Sequence, residues 1–262
     1  MNTLVTKFEK IGARLKFASA RGGRRSPDFN VDVRRDKLGS HFTIGIRENS
    51  NLDINILDIQ PELRHLLLLI RDQSVKHKFL CGHDERDWFV AAIPEKSGAT
   101  NVHAAMEALK PEEVLAAQTQ KHVKTQFKNR RRNDAFVRQG EWFFVPAPEI
   151  NPDDWYLIKN EPLMRGRGKP HMAEYVYRLG GRTVYVNSSY PQGVTEAVYK
   201  NIIKNPQNKG MSFTARRLDP TVYVKGKITH PDHKTIVLDY WHRVIPNTEN
   251  RAASMKFMAF ID

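Results

Sequence analysis

Apolar positions recur at two periods along this chain, and the changes between them divide it into segments. Residues 3–18 place Leu4, Phe8, Ile11, Leu15 and Ala18 at helical spacing, with Lys7, Lys10, Arg14 and Lys16 on the other face, which predicts an amphipathic helix. From Phe29 to Pro94 the period becomes two. FNVDVRRD and HFTIGIRE alternate about a Lys37-Leu38-Gly39-Ser40 turn and predict a hairpin. LDINILDI, HLLLLIRD, KHKFLCG and DWFVAAI continue as an antiparallel meander, in which HLLLLI is apolar enough to be central. Helical spacing returns from about Asn101 to about Arg132. It breaks at Pro111, because a proline pushes the residue before it, Lys110, out of the helical region.

Strand patterns resume in the second half with VRQGEWFFVPAP and DWYLIKNEP. EYVYRLGGRTVYVNS predicts a hairpin with Gly180-Gly181 as its two-residue turn. Thr195 to Lys204 reads as a short helix, and TVYVKGKIT and KTIVLDYWHRVI as a strand pair joined by His230-Pro231-Asp232-His233. The tail AASMKFMAFID is apolar enough to pack on the core. The expected fold class is α+β: mostly antiparallel short strands in one or two small sheets or barrels, with an N-terminal helix and a mid-chain basic helical segment. Three units are expected, an N-terminal helix and arm over 1–28, a β-rich lobe with a helical end over 29–120, and a basic helix with a second β-rich lobe over 121–262. The boundary falls near 120–135, although 262 residues also suit a single domain.

Charge adds a partner to this picture. The chain has 42 Lys and Arg against 29 Asp and Glu, a net charge of +13, which is the electrostatic footprint of a protein that meets a polyanion. The densest stretch is Lys121 to Arg138, where Lys121, Lys124, Lys128, Arg130, Arg131, Arg132 and Arg138 face one acid, Asp134. Neutralising a phosphate backbone with such cations releases condensed counterions, so nucleic acid is the expected partner. RNA is favoured over DNA, because aromatics such as Tyr177, Tyr185 and Tyr223 interleave with arginines on strands, as suits stacking on unpaired bases. No duplex-reading motif accompanies them. A second basic cluster lies within residues 1–25. An acidic protein is the alternative partner. A single cysteine excludes an intrachain disulfide, and the longest apolar run, Leu66 to Ile70, is far too short to span a bilayer. No membrane partner and a cytoplasmic location are therefore expected.

Three constellations could carry chemistry. The loop Arg165-Gly166-Arg167-Gly168-Lys169-Pro170-His171 gathers Arg165, Arg167 and Lys169, with glycines that let backbone approach a phosphate. His83, with Asp84 and Glu85 beside it, could be a general acid or base. Cys81 and His83 could instead form a zinc site with His230 and His233, and zinc or magnesium is the metal expected if one is present. His83, His171, His230, His233 and His242 form a pool from which two imidazoles beside a lysine or arginine could cleave RNA, one taking the 2′-hydroxyl proton and the other protonating the leaving oxygen. The catalytic candidates are therefore His83, Asp84, Glu85 and His171. Neither Gly-x-Ser-x-Gly nor a dinucleotide fingerprint occurs, which argues against a serine hydrolase or a nicotinamide enzyme. The leading expectation is a nucleic-acid-binding protein; a nuclease or other phosphodiester-processing enzyme, or an adaptor for an acidic protein, are the alternatives.

Overall fold

Strand alternation wins over helical spacing through most of the chain. In the computed structural model, which describes residues 2–20, 28–73, 75–165, 169–208 and 210–251, sixteen strands form four sheets beside four α-helices. With 51% of residues in strands and 21% helical, the protein is mainly β, which corrects the α+β expectation of one or two small sheets. No helix among the described residues is long and apolar enough to cross a membrane.

Two of the corrections have a local cause. The first helix, α1 (Asn2–Glu9), ends well before residue 18. Gly12, at φ +78°, turns the chain into the left-handed region, and the Ala13 N–H reaches back to the Phe8 carbonyl at 3.1 Å. This closing pattern ends a helix and favours glycine at its turn. The chain leaves as β1 (Leu15–Ser19), which pairs in parallel with β3 (Gly39–Ile46); β2 (Phe29–Asp36) makes the predicted hairpin with β3. The mid-chain helical segment becomes α2 (Val102–Ala108) and α3 (Glu112–Gln120). It stops at His122, φ +50°, where the Val123 N–H returns to the Gln118 carbonyl at 3.0 Å. The expected basic helix does not form. Residues 121–136 run as turns, pinned where Val123, Phe127 and Phe136 pack with Val114, Phe143 and Ile245.

The predicted meander is β4 (Leu52–Gln60), β5 (His65–Asp72), β6 (Val75–Asp84) and β7 (Asp87–Ile93), paired in that order. Alternation divides β5 between two cores. Leu66, Leu68 and Ile70 meet Phe8, Phe29, Phe42 and Phe79 on the side of the first sheet, while Leu67 packs with Leu80, Ile93 and the α2 residues Val102 and Ala105. Each fully buried leucine contributes about 1.5–3 kcal/mol of transfer free energy, so this strand anchors the first half.

The second half is built on a six-stranded sheet in the order β10-β11-β15-β16-β9-β8. Its members are β8 (Val137–Gln139), β9 (Trp142–Pro146), β10 (Ile158–Leu163), β11 (His171–Leu179), β15 (Thr221–His230) and β16 (His233–Pro246). β15 and β16 form the predicted hairpin closed by His230 and His233. The Gly180-Gly181 hairpin is corrected: the two glycines link β11 to β12 (Arg182–Asn187), which belongs to a separate sheet with β13 (Tyr190–Thr195) and β14 (Thr214–Leu218). A Cβ on Gly181 would stand 2.8 Å from the Leu218 carbonyl oxygen, so close backbone approach requires this glycine, while Gly180 has open space around it and is favoured by its left-handed backbone at φ +71°. α4 (Glu196–Lys204) covers this small sheet, as its helical spacing predicts. The expected tail packing and the Arg21–Pro27 loop lie outside the described residues.

Candidate functional site

Strand pairing alone brings three histidines together. β11 begins at His171 and its next residue, Met172, faces Thr229 on β15, which sets His171 beside His230. His230 in turn faces His233 across the β15–β16 turn. The rings of His171 and His230 stack with centroids 4.2 Å apart, and His233 lies 4.7 Å from His230 and 5.5 Å from His171. One ligating nitrogen from each falls within 4.8 Å of the others, so this trio could hold a metal ion. His171 is 1% exposed, yet neither of its ring nitrogens has a hydrogen-bond partner among the described residues. Burial, followed by the charges of His230 and His233, pushes its pKa down to about 3. His230 is lowered by burial and by His233. Its Nδ1 accepts the Asp232 N–H at 3.1 Å.

The β8–β9 turn closes over this trio. Buried Gln139 donates to the Lys234 carbonyl at 2.6 Å and to the Ile228 carbonyl at 3.4 Å, tying the turn to both strands of the histidine hairpin. Gly140 follows at φ +57°. A Cβ there would lie 2.8 Å from His233 Nε2 and 3.2 Å from His171 Nε2, so a bare backbone faces the histidines.

A turn from the first half docks on the same hairpin. Arg86 donates to the Pro231 carbonyl at 3.3 Å, and Glu85 Oε2 accepts the Lys234 N–H at 2.6 Å while lying 3.7 Å from His233 Nδ1. Glu85 Oε1 also pairs with Arg131 at 2.9 Å. Asp84 is held by Arg131 and by Arg138 Nη2 at 3.3 Å. The two acids proposed beside His83 therefore serve an ion-pair junction between the halves, and two of the cations read as phosphate contacts are already engaged. His83 itself stands edge-on to Trp88 at 4.9 Å, its pKa lowered by burial and by Arg64. Cys81 is fully buried in the first core, where burial drives its thiol far upward. Neither joins the histidine trio.

A cavity of about 470 Å³ opens between the halves beside His230 and His233. Arg34, Arg35, Arg130 and Lys169 are exposed cations on its lining. Lys169 pairs with Asp232 at 3.1 Å, Arg34 pairs with Asp32 at 2.8 Å, and Arg130 lies over the Phe127 ring at 4.4 Å. Lys121, Lys124 and Arg132 are exposed, whereas Lys128 is half-buried and turns its carbonyl to Lys110 and Gln118. Arg165 contacts the Asn247 side chain. Arg167 lies outside the described residues. Tyr177 faces Tyr223 at 6.2 Å and Tyr185 stacks on Tyr199 at 4.0 Å, so these rings are partnered within the protein.

Two further acids in the cavity were not singled out from sequence. Glu141, next to Gly140, is raised by burial. Glu249 is raised by burial to about 7, against Arg165 and the Ala92 N–H, which donates to it at 3.3 Å. A Glu-Trp-Phe-Phe strand start and an Asn-Thr-Glu after a strand end carry no motif that marks them; only the fold brings them to the cavity. The sign of the Glu249 effect follows from linkage. The folded state keeps the proton to about 7, whereas the ordinary value is 4.5. Stability therefore falls as pH rises from 4.5 through 7 and stays lower above it. Glu249→Gln is expected to gain on the order of 2 kcal/mol over the native protein between pH 5 and pH 8. Urea titrations at both pH values measure this, and a difference that stays constant between them would remove the buried protonated carboxyl.

No family model, no curated protein and no solved structure matches this chain.

Proposed function

We propose that the chain binds nucleic acid across this cavity and cleaves its phosphodiester backbone there. The observation that carries the reading is the packed trio His171, His230 and His233, of which His230 and His233 line a cavity rimmed by Arg34, Arg35, Arg130 and Lys169 and His171 is buried behind them. Phosphodiester cleavage needs a group that takes a proton from the attacking hydroxyl or water and cations that hold the phosphate oxygens. In the step, the incoming oxygen bonds to phosphorus, the ester oxygen leaves with a proton, and the attacking oxygen's proton passes to the site. The net charge of +13 supports a polyanionic substrate. Trp155, 96% exposed, and Tyr156 beside it offer free aromatic faces for unpaired bases, which supports RNA over duplex DNA.

Labelled single- and double-stranded RNA and DNA, bound at two salt concentrations and then run on a denaturing gel, test this. Salt-sensitive binding with shortened strands is expected. Intact strands after prolonged incubation would reduce the reading to binding alone, and no binding at physiological salt would remove it. The double substitution Arg35→Ala, Arg130→Ala is expected to lower the slope of log affinity against log salt by about 2, since each exposed cation accounts for about one released counterion. An unchanged slope would take the cavity rim out of the interface.

A further inference from the structure

We infer that His171, His230 and His233 form the binding site for a single divalent transition-metal ion of the zinc class. The inference rests on the phosphodiester reading for the ion's role, but the site itself stands on geometry. The three rings come from three strand ends that pairing fixes: the start of β11, the end of β15 and the start of β16. Their nitrogens lie within 4.8 Å of one another. Tetrahedral zinc at about 2.0–2.1 Å from each nitrogen sets them about 3.3 Å apart, so inward moves of under about 1 Å per ring close the site.

Three observations point to an ion rather than to a hydrogen-bonded histidine cluster. Both nitrogens of His171 are buried and without a hydrogen-bond partner among the described residues. A buried donor or acceptor left unpaired is unfavourable, and a ligand at that nitrogen offsets the cost. His233 divides its two nitrogens between two directions: Nδ1 faces the Glu85 carboxylate at 3.7 Å, and Nε2 faces Gly140. At 3.7 Å the carboxylate stands just beyond hydrogen-bond reach of Nδ1, which has no hydrogen-bond partner among the described residues; a small closing move would make the carboxylate–histidine pairing that orients a metal-ligating histidine and sets its tautomer. Finally, Gly140 leaves bare the space beside Nε2 of both His171 and His233, where a methyl would stand 3.2 and 2.8 Å away, respectively. At His230, Nδ1 accepts the Asp232 amide and the ring also bonds the Lys169 carbonyl, so the ion takes the place of one of these partners.

The donor set selects the ion. Three imidazoles suit zinc, cobalt, nickel or copper, whereas magnesium takes oxygen ligands. Three protein ligands leave a fourth position open to water or substrate, which is the coordination of a catalytic zinc rather than a structural one. An ion there lowers the pKa of a bound water and supplies the attacking hydroxide.

The test uses the full chain, stripped of metal by chelator and dialysis, then titrated with Zn²⁺ or Co²⁺. One equivalent per chain is expected, with the visible absorption of low-coordinate Co²⁺. His233→Ala and Gly140→Ala are each expected to weaken binding by at least about 100-fold, and Glu85→Gln by about 10-fold. Cys81→Ser and His83→Ala are expected to leave it unchanged. Circular dichroism and thermal unfolding check that each variant folds, and His171→Ala repeats the test in case Gly140→Ala does not. Stoichiometry well below one, or affinity indifferent to both His233→Ala and His171→Ala, would overturn the site. Tight one-to-one binding without cleavage of any tested strand would keep the ion site and remove the phosphodiester reading. Cleavage that survives chelation and Gly140→Ala would keep that reading and remove the ion.

Discussion

Replacing His171 with alanine is expected to lower strand cleavage by at least about 10³-fold while leaving nucleic-acid affinity within a few fold. The size of the loss follows from the ring's packing within the trio, stacked 4.2 Å from His230 and 5.5 Å from His233. Removing one member of such a unit removes proton transfer or metal-assisted attack, each worth several powers of ten. Affinity survives because the exposed cations that would contact phosphates, Arg35 and Arg130, lie elsewhere on the cavity lining. The same substitution should scarcely change the stability of the metal-free protein. Losing a buried ring creates a cavity, but it also removes two unpartnered nitrogens whose burial is unfavourable. Single-turnover cleavage, anisotropy and urea denaturation of the same preparation separate these effects. Cleavage that persists at a tenth of the native rate would take His171 out of the chemistry.

How much of this could be read beforehand depends on whether the signal was local. The β2–β3 hairpin, the β4–β7 meander and the β15–β16 hairpin follow strand alternation between neighbours, and they form as predicted. His230 and His233 were therefore placed together by a turn visible in the sequence. What joins them was not local. His171 reaches them through a pairing of β11 with β15 in which Met172 meets Thr229, with a whole sheet and α4 inserted between. The pool of five histidines contained the right three, but no spacing rule chose them over His83 and His242. The α+β expectation failed for a different reason. Helical spacing was followed through Gly12 and past Gln120, where left-handed residues at Gly12 and His122 close each helix. Gly140, which the metal inference needs, is one glycine among 15 and acquires meaning only from the two nitrogens facing it.

The run of cations from Lys121 to Arg138 also reads differently once folded, and Arg131 is where the difference can be measured. The helical expectation makes Arg130, Arg131 and Arg132 all phosphate contacts. As turns, they face three ways: Arg130 over Phe127, Arg132 out to solvent and toward the Val237 carbonyl, and Arg131 into Asp84 and Glu85. The two carboxylate side chains are only 10% and 7% exposed. Arg131→Ala is expected to destabilise the protein by about 3 kcal/mol, because it strands two largely buried charges with Arg138 and one backbone amide as remaining partners. The lower end of the usual range for a broken buried pair applies, since the guanidinium is 38% exposed and water screens part of its field. For a chain of this length the loss lowers the melting temperature by roughly 6–10 °C. Arg130→Ala, at an exposed position, should stay within about 0.5 kcal/mol of the native protein. The salt dependence of binding should reverse the order: Arg130→Ala flattens the slope by about 1, and Arg131→Ala leaves it unchanged. Urea denaturation and anisotropy on the two single variants decide this. Equal stability with a flattened slope for Arg131→Ala would return that arginine to the nucleic-acid surface and leave Asp84 and Glu85 without the partner that fixes the junction beside His233.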